Sequence, residues 1–292
     1  MIPVLFEIGP VRLYSFGLML GIAFLTGSFI LGEEMKRRSL NATLASTITL
    51  IAVISGIAGA KILNLFEEWD TFLRDPSIAF SPGGLTWYGG FVLGIACVVY
   101  YVRTKKIPVL KFLDCLGIAL ILAYGIGRIG CHLAGDGDYG TPTTLPWGTI
   151  YANGTAKPAH MLGEYFTQHP EAREQWHYDS LRVIPAGVDG LGNRVSRFDE
   201  VTPLHPTPIY EFLLGVAGFF VLRALGRTKR ADGFIFSVYL LLSSVFRFSV
   251  EFLRLQPRLL WGLSEAQLIA IGVFLLGCGG ILLTRRAAAP AP

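Results

Sequence analysis

Residues 110–132 read LKFLDCLGIALILAYGIGRIGCH. As one helix, at about 1.5 Å per residue, this run is long enough to cross a hydrocarbon core about 30 Å thick. It also carries an arginine near its end, in Tyr124-Gly125-Ile126-Gly127-Arg128-Ile129-Gly130-Cys131-His132. An ionisable group within a span costs about 2.5–3.5 kcal/mol on insertion scales and marks function by default. An arginine at a helix end can also snorkel to the interface. The glycines and small residues around Arg128 fit an open site better than a surface anchor.

Six further apolar runs surround this one, near residues 13–32, 43–65, 85–102, 208–226, 233–253 and 264–284. The chain of 292 residues is 52% hydrophobic and 16% charged, and its mean hydropathy is +0.52. A soluble domain carries roughly 25% charged residues, so the excess of apolar blocks excludes a soluble enzyme and a nucleic-acid binder. The expected fold is all-α, an integral membrane protein of seven transmembrane helices. Basic residues set the expected orientation. Lys36, Arg37 and Arg38, then Arg103, Lys105, Lys106 and Lys111, then Arg223, Arg227, Lys229 and Arg230, and finally Arg285 and Arg286 fall in alternate connections. Positive charge stays cytoplasmic, which puts the N-terminus in the periplasm and the C-terminus in the cytoplasm. Met1 to Pro10 lacks a basic start, so the first run reads as a retained helix rather than a cleaved signal.

The polar segment 135–205 then lies outside. It is rich in Gly, Pro, Asp and aromatic residues and holds turn signals at Asp189-Gly190 and Gly192-Asn193. It is long for a structureless loop, so a small periplasmic head between helices 4 and 5 is expected. The chain divides accordingly into helices 1–4 (residues 1–134), the head (135–205) and helices 5–7 (206–292), one membrane domain with an insertion. Cys97, Cys115, Cys131 and Cys278 all fall in or at the ends of apolar runs, with no metal-ligand spacing, and read as small packing residues. No metal and no cofactor are expected.

Four sets of polar residues fall at the expected outer level. The first is Arg128. The second is Arg247, Glu251 and Arg254, whose spacings of four and three share a helix face. Arg247 and Glu251 can neutralise each other, but two arginines facing a bundle interior also suit a phosphate, which guanidinium grips with two parallel hydrogen bonds. The third opens the next helix at His205-Pro206-Thr207-Pro208-Ile209-Tyr210-Glu211. There Thr207 reads as N-cap, Pro208 as the first helical residue, and Glu211 as a first-turn acid suiting the dipole. The fourth is Asp136 and Asp138 in Gly135-Asp136-Gly137-Asp138-Tyr139-Gly140, candidate partners of Arg128 or proton acceptors in the reaction. Small residues Ser55, Gly56, Gly59 and Ala60 mark close helix packing. Gly89 and Gly90, beside Trp87 and Tyr88, read as a place where a ligand touches backbone. A basic site at outer-leaflet depth, roofed by a head, has an anionic lipid headgroup as its natural ligand.

These motifs, in this order, resemble prolipoprotein diacylglyceryl transferase. Gly9-Pro10 followed by Tyr14 and Gly17 is similar to that family's opening. Gly83 to Gly90 is similar to its Gly-Gly-x-x-x-His-Gly-Gly segment. Gly127-Arg128-Ile129-Gly130 resembles the start of its signature Gly-Arg-x-Gly-Asn-Phe-x-Asn-x-Glu-x-x-Gly. His205 to Glu211 resembles His-Pro-Ser-Gln-Leu-Tyr-Glu, and Arg247 to Arg254 resembles Arg-Phe-x-x-Glu-x-x-Arg. The resemblance implies a bacterial inner-membrane enzyme with an external head. Such an enzyme moves diacylglyceryl from phosphatidylglycerol to the lipobox cysteine thiol of a preprolipoprotein and releases glycerol 1-phosphate. It implies that Arg128 and Arg247 hold the phosphate, that Glu251 orients Arg247, and that Arg254 attracts headgroup or peptide. Tyr14, Gly89, Gly90, His205, Tyr210 and Glu211 then belong to the substrate-binding set.

The chain departs from the pattern at several points. Tyr88 stands where the family has histidine, Cys131 and Ala134 where it has asparagine, and His132 where it has phenylalanine. Asp136 stands for the glutamate, and Gly140 falls one residue late. Tyr88 is a poor base with an ordinary pKa near 10. His132 titrates in a useful range and is the expected base, with Asp136 second. Two other readings share the scaffold: a protein that binds or transports an anionic phospholipid, and a transferase with a different acceptor.

Overall fold

The computed structural model describes residues 1–9, 11–81, 84–156, 158–168, 170, 185–188, 194–196, 203–256 and 258–288. Pro10, Gly83, the two turn signals at 189–190 and 192–193 and much of the expected head lie outside these residues. Among the described residues the chain is mostly helical. The elements are β1 (Val4–Ile8), β2 (Val11–Tyr14), α1 (Ser15–Arg37), α2 (Leu44–Glu67), α3 (Trp69–Arg74), a 3-10 turn (Pro76–Phe80), α4 (Trp87–Thr104), α5 (Val109–Ala134), α6 (Ala159–Gln168), β3 (Pro185–Val188), β4 (Arg194–Ser196), α7 (Thr207–Leu225), α8 (Phe234–Glu251) and α9 (Glu265–Ala288).

Two antiparallel hairpins, β1–β2 and β3–β4, join the helices. The alternation that makes β1 and β2 is short, and the helical period beginning at Ser15 masks it in the sequence. Val4 pairs with Tyr14 and Glu7 with Arg12, whose charges meet at 3.0 Å. The hairpin docks on the end of α5, where the Ile2 amide donates to the Leu133 carbonyl at 2.9 Å.

Six helices are long and apolar enough to cross a membrane: α1, α2, α5, α7, α8 and α9. The run expected as a seventh span folds as α4, of 18 residues. Trp87, Tyr88, Gly89 and Gly90 at one end and Tyr100, Tyr101 and Arg103 at the other dilute its apolar character. Small residues set the pairing of the helices. Gly56 and Gly59 of α2 meet Gly90 and Gly89 of α4, and a Cβ on Gly90 would lie 2.6 Å from the Gly56 carbonyl oxygen. On Gly215 of α7 it would lie 2.9 Å from the Ile121 carbonyl of α5, and on Gly277 of α9 it would lie 3.0 Å from the Ser237 carbonyl of α8. Such stripes let backbones approach where lipid supplies no hydrophobic drive.

These pairings are antiparallel. The starts of α1, α4, α7 and α9 therefore share one end of the bundle with the ends of α2, α5 and α8. This end carries residues 135–156 and 203–206 and is termed the head end below. The opposite end holds the larger core, with Met35, Phe112, Cys115, Ile118, Leu222 and Ile235 almost fully buried. There Asp114 is wholly buried, paired with Arg38 at 3.0 Å, and accepts from the amides of Gly233 and Phe236 at 3.0 and 2.8 Å. It caps α8 from α5. A smaller core of Tyr139, Tyr151, Leu162, Phe166, Leu204 and Leu255 holds the head to the bundle. The bundle exterior is apolar, with Leu25 at 75% and Leu276 at 69% exposure, while the charges turn inward, as a lipid solvent requires. The protein is a multi-pass membrane protein.

Candidate active site

Three chain segments bring charge to one point at the head end. The first is the end of α5. Gly135, with φ 62°, stops the helix as its amide donates to the Cys131 carbonyl. Gly137, with φ 100°, turns the chain again, and only glycine adopts that backbone freely. Asp138 is thereby aimed back toward Arg128, one helical turn and a loop earlier. Its position is pinned from outside, because Thr207 Oγ1 donates to the Asp138 carbonyl at 2.6 Å and the Gly140 amide to the His205 carbonyl at 2.9 Å.

The second segment opens α7. Thr207 is the first helical residue and Pro206 the cap. The Thr207 hydroxyl thus serves the Asp138 loop rather than capping its own helix, because the tertiary acceptor competes successfully for it. Glu211 lies beyond the first turn and is 3% exposed, so its partners are side chains rather than the helix dipole. The third segment is the end of α8. Arg247 and Glu251 lie in the helix, and Arg254 lies just past it, so the stripe read as one helical face is partly made by the following turn.

Glu211 is the centre of the cluster. Its Oε2 lies 2.9 Å from Arg128 Nε and 3.7 Å from Arg254 Nη1, and its Oε1 lies 3.2 Å from Arg247 Nη1. The Tyr124 hydroxyl donates to Oε1 at 2.7 Å. Asp138 pairs with both Arg128 and Arg254. Glu251 lies 3.1 Å from Arg247 and 3.6 Å from Arg254, and accepts from the Ser264 hydroxyl at 2.7 Å. Three arginines thus balance three carboxylates. Glu211 Oε2, Glu251 Oε2 and Arg254 Nε and Nη1 are buried without a hydrogen bond, so charge attraction rather than aligned hydrogen bonding joins these atoms. Burial pushes the Asp138 carboxyl up, but Arg128 and Arg254 outweigh it and hold the group below the ordinary carboxylate range.

Two cavities open on this cluster. One, of about 420 Å³, is mostly apolar and runs among Ile121, Tyr239, Phe246, Ile269 and Val273, with Arg128, Glu211 and Arg247 in its wall. The other, of about 410 Å³, is more polar and is lined by Arg247, Glu251, Gln256, Ser264 and Glu265. Tyr88 and Arg247 line both. A guanidinium has five N–H donors, and Nη2 of Arg128 has no partner among the described residues. An anionic group at the mouth of an apolar cavity therefore finds donors already oriented.

The sequence profile of the prolipoprotein diacylglyceryl transferases matches residues 3–283. The chain belongs to the prolipoprotein diacylglyceryl transferase family. It is 34% identical over 283 residues to phosphatidylglycerol–prolipoprotein diacylglyceryl transferase 2 of Clostridium perfringens, covering 96% of this chain and 93% of that protein. It is 29% identical over 277 residues to the phosphatidylglycerol–prolipoprotein diacylglyceryl transferase of Clostridium tetani, covering 94% of each. It is 29% identical over 300 residues to the protein of that name from Geobacter sulfurreducens, covering 99% of this chain and 97% of that protein.

Within this family framework the structure sorts the expected site residues. Arg128, Arg247, Glu251, Arg254 and Glu211 come together, and Tyr88 faces them across the cavities. His132 does not face them: its Nδ1 lies 3.0 Å from the Tyr151 hydroxyl of the head, and it lines neither cavity. His205 and Tyr210 bond each other at 3.1 Å, and Trp147 donates to the Tyr210 hydroxyl at 2.8 Å. They form the seam between head and α7. Burial holds the His205 imidazole below its ordinary pKa. Tyr14 ends β2, is half-exposed and lines neither cavity. Gly89 and Gly90 face α2, where the backbone of that helix fills the place a ligand was expected to take.

Of the two candidate partners of Arg128, Asp136 and Asp138, the backbone at Gly137 brings Asp138 to it. Two further participants were not singled out in the sequence. Tyr124 lies one turn before Arg128, a spacing that was available as a signal. Glu265 opens α9, far from any motif, and no sequence signal ties it to Tyr88. Cys131, Asp136 and Asp138 offer three donor atoms within 4.8 Å of one another. Asp138 is already paired with two arginines there, and their charge opposes a cation. All four cysteines are free thiols.

Proposed function

We infer that this chain transfers the diacylglyceryl group of phosphatidylglycerol to the lipobox cysteine of a preprolipoprotein. The observation that carries this is the pair Arg128 and Arg247, held by three carboxylates in the wall of an apolar cavity. The cavity suits acyl chains and the arginines suit the phosphate at their head. In the transfer, the thiol sulfur attacks the glycerol carbon that bears the phosphate. A carbon–sulfur bond forms, and the carbon–oxygen bond breaks with its electron pair leaving on oxygen as glycerol 1-phosphate. Arg128 and Arg247 stabilise the charge that grows on that phosphate. Glu211, Glu251 and Asp138 hold the guanidiniums in place, which lowers the reorganisation needed at the transition state. Arg254, only 4% exposed, acts as a positioning residue through Asp138 rather than as a headgroup contact.

The same reading makes α4 the seventh span. It lies along α2, and its ends carry aromatic residues of the kind that sit at membrane interfaces. The head end then faces the periplasm and the basic end the cytoplasm of the inner membrane, with residues 135–205 inserted between helices 1–4 and 5–7. Tagging the C-terminus and the head and testing protease access in spheroplasts checks this. The activity itself is tested by incubating the purified chain with phosphatidylglycerol and a lipobox peptide. Release of glycerol phosphate with a thioether-linked lipid on the peptide is the expected result. Binding of lipid without release would make the chain a lipid-binding member of the family instead.

A further inference from the structure

Deprotonation of the thiol needs a group that the phosphate-binding cluster does not supply. Glu211, Glu251 and Asp138 are each paired with two or more arginines, so their oxygens are already engaged in holding the guanidiniums. His132 and His205 are bonded to tyrosines and line neither cavity. Tyr88 lines both cavities beside Arg247, but a phenol alone holds its proton too firmly. The Tyr88 hydroxyl, however, donates its hydrogen bond to Glu265 Oε1. Glu265 sits in the first turn of α9 and lines the polar cavity.

We propose that Tyr88 and Glu265 together are the proton acceptor of this chain, Glu265 as general base and Tyr88 as the relay that touches the thiol. The proposal rests on the transferase reading above. As the carbon–sulfur bond forms, the thiol proton passes to the Tyr88 oxygen while the phenolic proton passes to Glu265. Tyr88 ends neutral, Glu265 ends protonated, and the carboxyl later returns the proton to water in the polar cavity. The electron pair of the broken carbon–oxygen bond stays on the departing phosphate. The charged groups facing this pair are Arg247 and Glu251 from α8, and, across the apolar cavity that Tyr88 also lines, Arg128 from α5 and Glu211 from α7. Arg258 in the α8–α9 turn is directed to Gln267 at 3.0 Å. Where the family carries histidine, this chain thus has a phenol backed by a carboxylate from another helix.

The test uses the purified full chain in micelles containing phosphatidylglycerol, with a lipobox peptide, following glycerol phosphate release from pH 6 to 9. Glu265→Gln keeps the shape and a hydrogen-bond acceptor for Tyr88. It is expected to lower kcat by about 10²–10⁴-fold with KM for peptide and lipid within a few-fold. The deficit shrinks about tenfold per pH unit up to the thiol pKa near 8.5, where thiolate forms unaided. Tyr88→Phe behaves alike. Tyr88→His in the Glu265→Gln background restores at least ten-fold of the lost rate, because imidazole is a base by itself. His132→Ala stays near wild type. A Glu265→Gln enzyme with wild-type kcat and pH profile, an equal deficit at every pH, or the pH signature appearing in His132→Ala instead would overturn the proposal. If the wild type releases no glycerol phosphate, the transferase reading itself fails and takes this one with it. Release by wild type with an indifferent Glu265→Gln refutes only the acceptor.

Discussion

Glu211→Gln probes the centre of the site with the smallest change of shape. The wild-type carboxylate is almost fully buried and meets Arg128 at 2.9 Å, Arg247 at 3.2 Å and Arg254 at 3.7 Å. The substitution leaves three guanidiniums facing two carboxylates, Asp138 and Glu251. An amide oxygen still accepts from Tyr124, but the amide N–H₂ has only donors before it. Removing one partner of a buried ion pair costs about 3–5 kcal/mol. That corresponds to a fall of roughly 6–20 °C in midpoint, at about 2–4 °C per kcal/mol for a large domain. The same change frees positive charge for an anion. Added glycerol 1-phosphate, binding the folded state alone, is expected to raise the midpoint of Glu211→Gln more than that of wild type. Thermal unfolding of detergent-solubilised protein, with and without that ligand, reads both effects. Neutralising Glu7, whose partner Arg12 is exposed, serves as the control and is expected to change little. A Glu211→Gln midpoint within 2 °C of wild type, or an unchanged response to ligand, would refute the reasoning.

The remaining predictions use other parts of the molecule. Gly90→Ala places a Cβ 2.6 Å from the Gly56 carbonyl and should cost about 1–3 kcal/mol by forcing α2 and α4 apart, measured as a lower unfolding midpoint. Asp138 has a folded pKa below its unfolded value of about 3.9. The stability it contributes is therefore complete above that value and is lost as pH falls through the lower folded one. Asp138→Asn should flatten the acid limb of a stability–pH curve, and an unchanged limb would count against the pairing. Asp114→Ala strips Arg38 of its partner and two amides of their acceptor, so a loss of about 3–5 kcal/mol is expected at the end far from the site. Any protein that remains folded should keep the wild-type KM. Arg128→Lys should lower kcat by about 10²-fold or more in the glycerol phosphate assay, because a point charge cannot reproduce the guanidinium fork.

Most of the fold was legible in the chain because the signals are local. An apolar run of some twenty residues has few alternatives to a spanning helix. Small residues at Gly56 and Gly59 foretold a close contact between helices. The N-terminal hairpin was not legible, since five and four residues of strand leave too short a pattern to compete with the helical period that follows. The arginines and acids of the site were legible too, because a charge inside an apolar run is costly and therefore conspicuous.

What the sequence by itself determined is the apolar architecture and the list of charges that must be neutralised within it. Which charge neutralises which was decided only by the tertiary structure. Glu211 and Arg247 are far apart in the chain, and so are Tyr88 and Glu265. Each pair meets because the packing of the helices brings these separate helix ends together at the head end. The choice of Asp138 over Asp136 turned on the backbone at Gly137, and the loss of His132 to the head turned on Tyr151. Hydrogen bonds and ion pairs act over about 3 Å, so a site assembled from five helices is readable as ingredients in the sequence and as chemistry only in the fold.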